Sequence, residues 1–343
     1  MLVAVALGVA ACGGGGRTSS HTGATAAVAT GTGGRKAATA RSGPAAQDAR
    51  RRGVAGGAVA LRYRRLYTLP APLRDPAYAT LGGDRFAMLG GLNDADVSVA
   101  GVEIADLRRV LHTGALPGPQ HDAQAARLAG RVYVFGGGFT TELDHILMYD
   151  PNRGDTSPVG ALSVPQSDVA VTQAGGTAYV VGGFDGSSYL DTIVAWRPGS
   201  RPTVVAHLPV GLRYAAVTIS GSGLYVLGGV TPAGTSAAIY RFDVATHRVR
   251  RMGTLPRPTE HGNAVTLGAM IYLVGGRGPG DSDQTAAVDA VDPLTGRVRP
   301  AGRLPTPTSD AAVMTIGQAI VVAGGQSPAG TLAGVGELVP AAA

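Results

Sequence analysis

Apolar positions in this chain come in short runs, and the runs recur in register. Six of them end in a double glycine: Leu89-Gly90-Gly91, Phe135-Gly136-Gly137, Val181-Gly182-Gly183, Leu227-Gly228-Gly229, Val274-Gly275-Gly276 and Ala323-Gly324-Gly325. From one first glycine to the next the steps are 46, 46, 46, 47 and 49 residues. That period belongs to blade-like β repeats rather than to helical solenoids. A run such as Arg131-Val132-Tyr133-Val134-Phe135 suits a central strand paired on both sides. The glycines after it permit a sharp turn beside a crowded neighbour, because glycine lacks Cβ and reaches positive φ without strain. A phosphate-cradling loop is the other use of such glycines, but it needs a lysine and a following helix, and no lysine follows any pair.

A second mark precedes each glycine pair. Leu69-Pro70, Leu116-Pro117, Val164-Pro165, Leu208-Pro209, Leu255-Pro256 and Leu304-Pro305 place their proline 20, 19, 17, 19, 19 and 19 residues before the first glycine. Between the two marks lie two apolar runs joined by a small turn. In the fifth repeat these are Asn263 to Leu267, then Gly268-Ala269, then Met270 to Val274, a β-hairpin pattern. After the glycines come a polar loop, a third strand, and in three repeats an aspartate turn at Asp150, Asp243 or Asp292. A fourth short strand closes the period. Four antiparallel strands per period make one propeller blade, so the chain reads as an all-β, six-bladed β-propeller over residues 61–340. The sixth repeat lacks an outer strand, and residues 61–68 stand where strand four stands elsewhere. They are expected to complete the sixth blade and remove an unpaired edge.

These residues resemble the kelch-repeat β-propellers. The resemblance rests on the six double glycines, on Tyr133, Tyr179, Tyr225 and Tyr272 before four of them, and on Gly183-Phe184-Asp185-Gly186. Two features depart from it: Val249 and Val298 occupy the place of the tryptophan that kelch repeats often carry, and Ala87 and Val321 replace the tyrosine. Among enzymes of that family, galactose oxidase needs a cysteine beside a tyrosine within the domain, and this chain has its single cysteine at position 12. N-acetylneuraminate epimerase is the family enzyme nearest in size, although no motif carries over to it residue by residue.

Ahead of the repeats the pattern changes. Residues 2–11 form an apolar stretch too short to span a bilayer but long enough for a signal-peptide core. It ends in Val9-Ala10-Ala11-Cys12-Gly13, which looks like a bacterial lipobox with Cys12 as the lipidated residue. Residues 13–60 are rich in Gly, Ala, Thr and Arg without a hydrophobic period, the composition of a disordered linker. Residues 1–12 are therefore expected to act as the signal segment, 13–60 as a tether, and 61–340 as the domain. The location expected is the extracytoplasmic face of a bacterial membrane, or secretion.

Charge sharpens this division. Residues 1–65 carry ten basic residues against Asp48, whereas residues 66–343 carry 19 Arg against 22 acids. The chain's formal charge of +6 thus belongs to its N-terminal part. Nucleic acid is not an expected partner of the propeller, which lacks the necessary basic excess.

In a propeller the loops joining strand four to strand one gather at one mouth of the central channel. Counting 16 to 14 residues back from each double glycine places Arg74, His121, Asp122, Asp168, Arg213, Tyr214, Glu260, His261 and Asp310 there. Polar residues at loop ends also hydrate and cap strands without binding anything. As a site, Arg74 and Arg213 would clamp an anionic or hydroxyl-rich ligand, with the carboxylates, the histidines and Tyr214 as polar partners. Asp122, Asp168, Asp310 and His261 are also oxygen and nitrogen donors, but they lack a local metal signature. The expectation is a monomeric propeller that binds a protein or glycan partner, with no cofactor, no metal and no catalysis. The alternative is a sugar epimerase or other carbohydrate-active enzyme, betrayed by a deep pocket and a carboxylate of perturbed pKa.

Overall fold

The computed structural model describes residues 59–341, so the signal segment, Cys12 and the linker up to residue 58 lie outside the described residues. Six four-stranded antiparallel sheets follow one another along the chain as blades 1 to 6. The first five span residues 77–115, 124–161, 170–207, 216–254 and 263–303. No helix occurs among the described residues.

Blade 6 is assembled from both ends of the domain. Its strands Ala312–Ile316, Ala319–Ala323 and Gly334–Pro340 are completed by Leu61–Thr68, which pairs antiparallel with the last of them from Leu61↔Pro340 to Thr68↔Gly334. Arg64 reaches across this seam to the buried carboxylate of Glu337. The ring is thereby closed by strand pairing, as the missing fourth strand of the last repeat requires.

The double glycines are where neighbouring blades touch. The second glycine of every pair donates its N–H to a carbonyl in the loop entering the next blade, at 2.8–2.9 Å: Gly91 to Gln120, Gly137 to Gln166, Gly183 to Leu212, Gly229 to Thr259, Gly276 to Thr308 and Gly325 to Leu73. The first glycine lies under that same carbonyl. A Cβ there would stand 2.0–2.6 Å from the oxygen in all six cases, closer than any side chain tolerates. Tyr225 adds a side-chain link across one interface, its hydroxyl donating to the Pro293 carbonyl at 2.6 Å. Apolar faces pack between the blades. Trp196 of blade 3, for example, is buried against Tyr133 and Phe135 of blade 2 with ring centroids 5.0 and 5.4 Å away.

Both irregular spacings in the sequence have structural causes. In blade 1 the hairpin carries one extra residue, a bulge between Thr80 and Gly82, which lengthens the interval to the glycines. In blade 3 the proline mark is out of register. Buried Leu162 takes the position of the other leucines, its N–H bonded to Asp144 as Leu116 bonds Ala100, while Val164 is 41% exposed.

Candidate functional site

Six residues, one per blade, form a ring around the channel at the entry to each innermost strand. They are Asp75, Asp122, Asp168, Tyr214, His261 and Asp310, all with left-handed backbone at φ between 51° and 59°. Backbone bonds run around this ring at 2.9–3.1 Å: Asp168 N–H to Asp122, Tyr214 to Asp168, His261 to Tyr214, Asp310 to His261 and Asp75 to Asp310. The left-handed turn aims each N–H at the neighbouring blade. Aspartate and histidine are among the side chains that accept this conformation best, and tyrosine is not.

Above the ring sits a second tier. The residue preceding each ring member bridges to the residue following a double glycine, giving the pairs Arg74 with Leu92, His121 with Gly138, Ser167 with Phe184, Arg213 with Val230, Glu260 with Arg277 and Ser309 with Gln326. The two tiers enclose a cavity of about 380 Å³ at the mouth, whose charged lining includes Arg74, Asp75, Asp96, Asp122, His261 and Arg277. Below it, Tyr78 and Asn263 line a narrow waist of about 50 Å³. The Tyr78 hydroxyl donates to Asn263 Oδ1 at 2.7 Å, and Asn263 donates in turn to the Ala311 carbonyl. This bridge from blade 1 to blade 5 narrows the floor of the cavity.

The electrostatics of the ring are organised as two carboxyl pairs, Asp75 with Asp310 and Asp122 with Asp168. Burial, with Asp310 and Asp122 facing it, pushes the Asp75 carboxyl well above the usual carboxylate range. Burial and the facing Asp168 do the same to Asp122. Burial also pushes Asp310 upward, but His261, the Ser309 hydroxyl and Arg277 outweigh it and hold that carboxyl below its ordinary value. The Asp310 oxygens accept from His261 Nδ1 and Ser309 Oγ, each at 2.5 Å. Arg277 Nη2 lies 3.1 Å from His261 Nε2. A guanidinium has only donors, so Nε2 is the acceptor and the imidazole proton sits on Nδ1, directed at Asp310. Tyr214 stacks on His261 at 3.6 Å and its hydroxyl donates to Asp122 at 3.3 Å. Burial lowers the pKa of His121. Its Nδ1 is 2.8 Å from Ser98 Oγ.

The residues counted back from the glycines converge at this mouth, but in different roles. Arg74, His121, Asp122, Tyr214 and His261 line the cavity. Asp168 and Asp310 lie at the waist. Arg213 does not line the cavity: it bonds Asp168 at 3.1 Å and stands over the rings of Phe184, Tyr189 and Tyr214. Glu260 accepts from Thr235 at 2.6 Å and faces Arg277 at 3.4 Å.

Two further residues complete the cavity. Asp75 falls inside the counted window but one place earlier than its counterparts in the other blades, because the blade 1 bulge lies between it and the glycines. Arg277 sits on the other family of mouth loops, and it is the only charged residue that directly follows one of the six strand-ending glycine pairs, a signal present in the sequence. Asp75, His261 and Asp310 bring one ligand atom each within 4.8 Å of one another, a donor set of the kind that holds a divalent ion. The Arg277 guanidinium against His261 opposes a cation there. The loop acids Asp281 and Asp283 are occupied by Arg277 and by the Gly280 N–H.

No protein-family model matches the sequence, and comparison with curated proteins returns no match. Solved structures do match. The protein described as YjhT is similar with a TM-score of 0.69 at 17% identity, over 80% of this chain and 95% of that one. At this identity the likeness speaks to the six-bladed propeller fold, a scaffold shared by unrelated activities.

Proposed function

We propose that this chain is a kelch-type propeller lipoprotein, anchored through Cys12 at the outer face of a bacterial membrane, that binds a small acidic glycan in the channel mouth. The observation that carries the reading is the cavity of about 380 Å³ with Arg74 and Arg277 on its walls and carboxyl groups at its floor. Its volume falls in the range of small-molecule sites, and a protein partner would need a broader contact surface. The Nε of Arg74 is buried without a hydrogen-bond partner among the described residues, and its Nη2 donates to exposed Asp96 at 2.6 Å, a carboxylate that an anionic ligand would displace. Carboxyl and hydroxyl groups below it suit the hydroxyls of a sugar. Glycan-array screening of the chain from Gly13 onward, followed by titration of any hit, tests this. Arg74→Ala and Arg277→Ala should each weaken binding at least tenfold with the melting temperature retained, whereas unchanged affinity in both would refute the site.

A second reading rests on the carboxyl pairs. Asp75 and Asp122 hold protons further toward neutral pH than ordinary carboxyls, while His261, Ser309 and Arg277 hold Asp310 below its ordinary value. A site with acids of separated pKa values can give a proton to one atom and take one from another, as a sugar epimerase requires. Solvent deuterium appearing at a carbon of the bound sugar would favour catalysis; its absence over hours leaves binding alone.

A further inference from the structure

The channel mouth leaves most of the arginines unexplained. The described domain is close to neutral: 22 Arg stand against 22 acids between residues 59 and 341. Nine of those arginines lie on or immediately before the outer strands of three consecutive blades. They are Arg248, Arg250 and Arg251 at Val249–Thr254 of blade 4, Arg297, Arg299 and Arg303 at Val298–Arg303 of blade 5, and Arg62, Arg64 and Arg65 in Leu61–Thr68 of blade 6. All nine are exposed, and no acidic residue occurs in these three strands. Only Arg64 has a carboxylate within ion-pair distance among the described residues. The outer strands of blades 1 to 3, Val110–Ala115, Asp155–Ala161 and Thr203–His207, contain no arginine or lysine, and Arg109 alone stands immediately before one of them. The three basic strands adjoin: a Cβ on Gly253 would meet the Gly296 carbonyl at 2.7 Å, and one on Gly302 would meet that of Leu61 at 2.8 Å.

An apolar side chain stands at the edge of this wall. Leu294, in the turn before the outer strand of blade 5, is 85% exposed, the largest exposure among the exposed large hydrophobic residues. Its N–H donates to Asp292 at 2.8 Å in the same turn, and Arg297 and Arg299 follow on the strand side. The outer strands of blades 4 and 5 start at the turn from strand three and end at the mouth, and Leu61–Thr68 runs the same way with Leu61 opposite Pro340, so Leu294, Arg248, Arg297 and Arg62 lie at the end of the wall away from the cavity. The chain enters the domain at that same corner, where Ala341 N–H bonds the Ala60 carbonyl. The sequence leading into it, residues 1–60, holds seven basic residues against Asp48.

We propose that the outer wall of blades 4 to 6, tipped by Leu294, docks the propeller on an anionic lipid bilayer with the cavity facing away from it. Basic residues at such a surface are attracted by the headgroup charge, and a leucine among them enters the headgroup–acyl boundary. A soluble polyanion such as nucleic acid would answer to the arginines but not to Leu294. The surface is separate from the mouth cavity and stands whether that cavity binds or catalyses.

Vesicle co-sedimentation tests it, with the chain from Gly13 onward on phosphatidylglycerol–phosphatidylcholine vesicles against pure phosphatidylcholine. Each basic residue at an anionic surface is worth about a fivefold change in binding. The triple variant Arg297→Ser, Arg299→Ser, Arg303→Ser should therefore bind on the order of 100-fold more weakly. Leu294→Ser should weaken vesicle binding while leaving binding to a DNA duplex unchanged. All four sites are exposed, so an unchanged melting temperature certifies the fold. Equal binding to both vesicle types, or wild-type binding by the triple variant together with loss only when the basic residues of 13–58 are neutralised, would overturn the proposal. So would a Leu294→Ser variant that binds anionic vesicles as the parent does.

Discussion

Gly268 and Gly275 belong to the same blade and have nearly the same backbone, with φ of 61° and 62°. They differ in what surrounds them. A Cβ on Gly268 meets nothing within 4 Å, whereas one on Gly275 would lie 2.2 Å from the Thr308 carbonyl oxygen of the next blade. Replacing each by alanine separates the cost of a left-handed alanine from the cost of forcing two blades apart. The first costs about 1 kcal/mol. The second requires the Thr308 carbonyl to retreat by about an ångström, since ordinary contact distances are well above 3 Å. That carbonyl also accepts the Gly276 N–H at 2.9 Å. Its displacement leaves a buried donor unpaired, for about 1–3 kcal/mol.

Gly268→Ala should therefore lose about 1 kcal/mol and Gly275→Ala about 2–4 kcal/mol in urea unfolding followed by fluorescence of Trp196. Both denaturation curves should keep the slope of the parent. If Gly275→Ala costs no more than Gly268→Ala, the double glycines serve only the turn, and the account of blade contact fails at all six interfaces.

Other outcomes follow from the same geometry. Removing residues 59–70 unpairs the Gly334–Pro340 strand and should give aggregated protein on size exclusion, whereas removing 13–55 should leave the melting temperature unchanged. Asp75→Asn tests the carboxyl pair: a raised native pKa gives stability that is fully present below the unfolded value and lost as pH rises through the native one. The variant should accordingly be more stable than the parent at pH 7 and less favoured at pH 3, read as melting temperature against pH. Asp310 is lowered, so its contribution runs the other way. Asp310→Asn should destabilise most above the ordinary carboxylate range, and the difference should vanish as pH falls through the native value.

The architecture was legible because every interface uses the same backbone device, and a device repeated six times leaves a spacing. The completing strand Leu61–Thr68 could be placed for the same reason, as the one element missing from a counted set. Spacing failed where a single residue intervened. The bulge at Thr80 to Gly82 put Asp75 one place away from its counterparts within the counted window, which masked its equivalence to Asp122 and Asp310, and the slipped proline at Pro165 concealed that Leu162 is the buried anchor of blade 3. Roles within the mouth were harder to read than membership in it. Arg213 and Arg74 occupy the same position in their repeats, yet one is paired with buried Asp168 and covered by three rings while the other is paired with exposed Asp96 and lines the cavity. Which of them faces a ligand is decided by neighbours that differ from blade to blade, Phe184 and Tyr189 in one case and Leu92 and Asp96 in the other.

The ring itself shows why these positions are not filled by glycine. Six non-glycine residues in left-handed backbone cost about 1 kcal/mol each. The five backbone bonds between them return a similar amount, at about 1 kcal/mol each. The backbone alone is thus near balance, and glycine at these positions would relieve the strain while keeping every one of those bonds. Aspartate and histidine at five positions carry only a mild penalty. Tyr214 carries a larger one, and what its ring and hydroxyl gain is the stack on His261 and the bond to Asp122. Strain retained where a strain-free residue would fit places the reason for the ring in its side chains, which meet at the floor of the cavity.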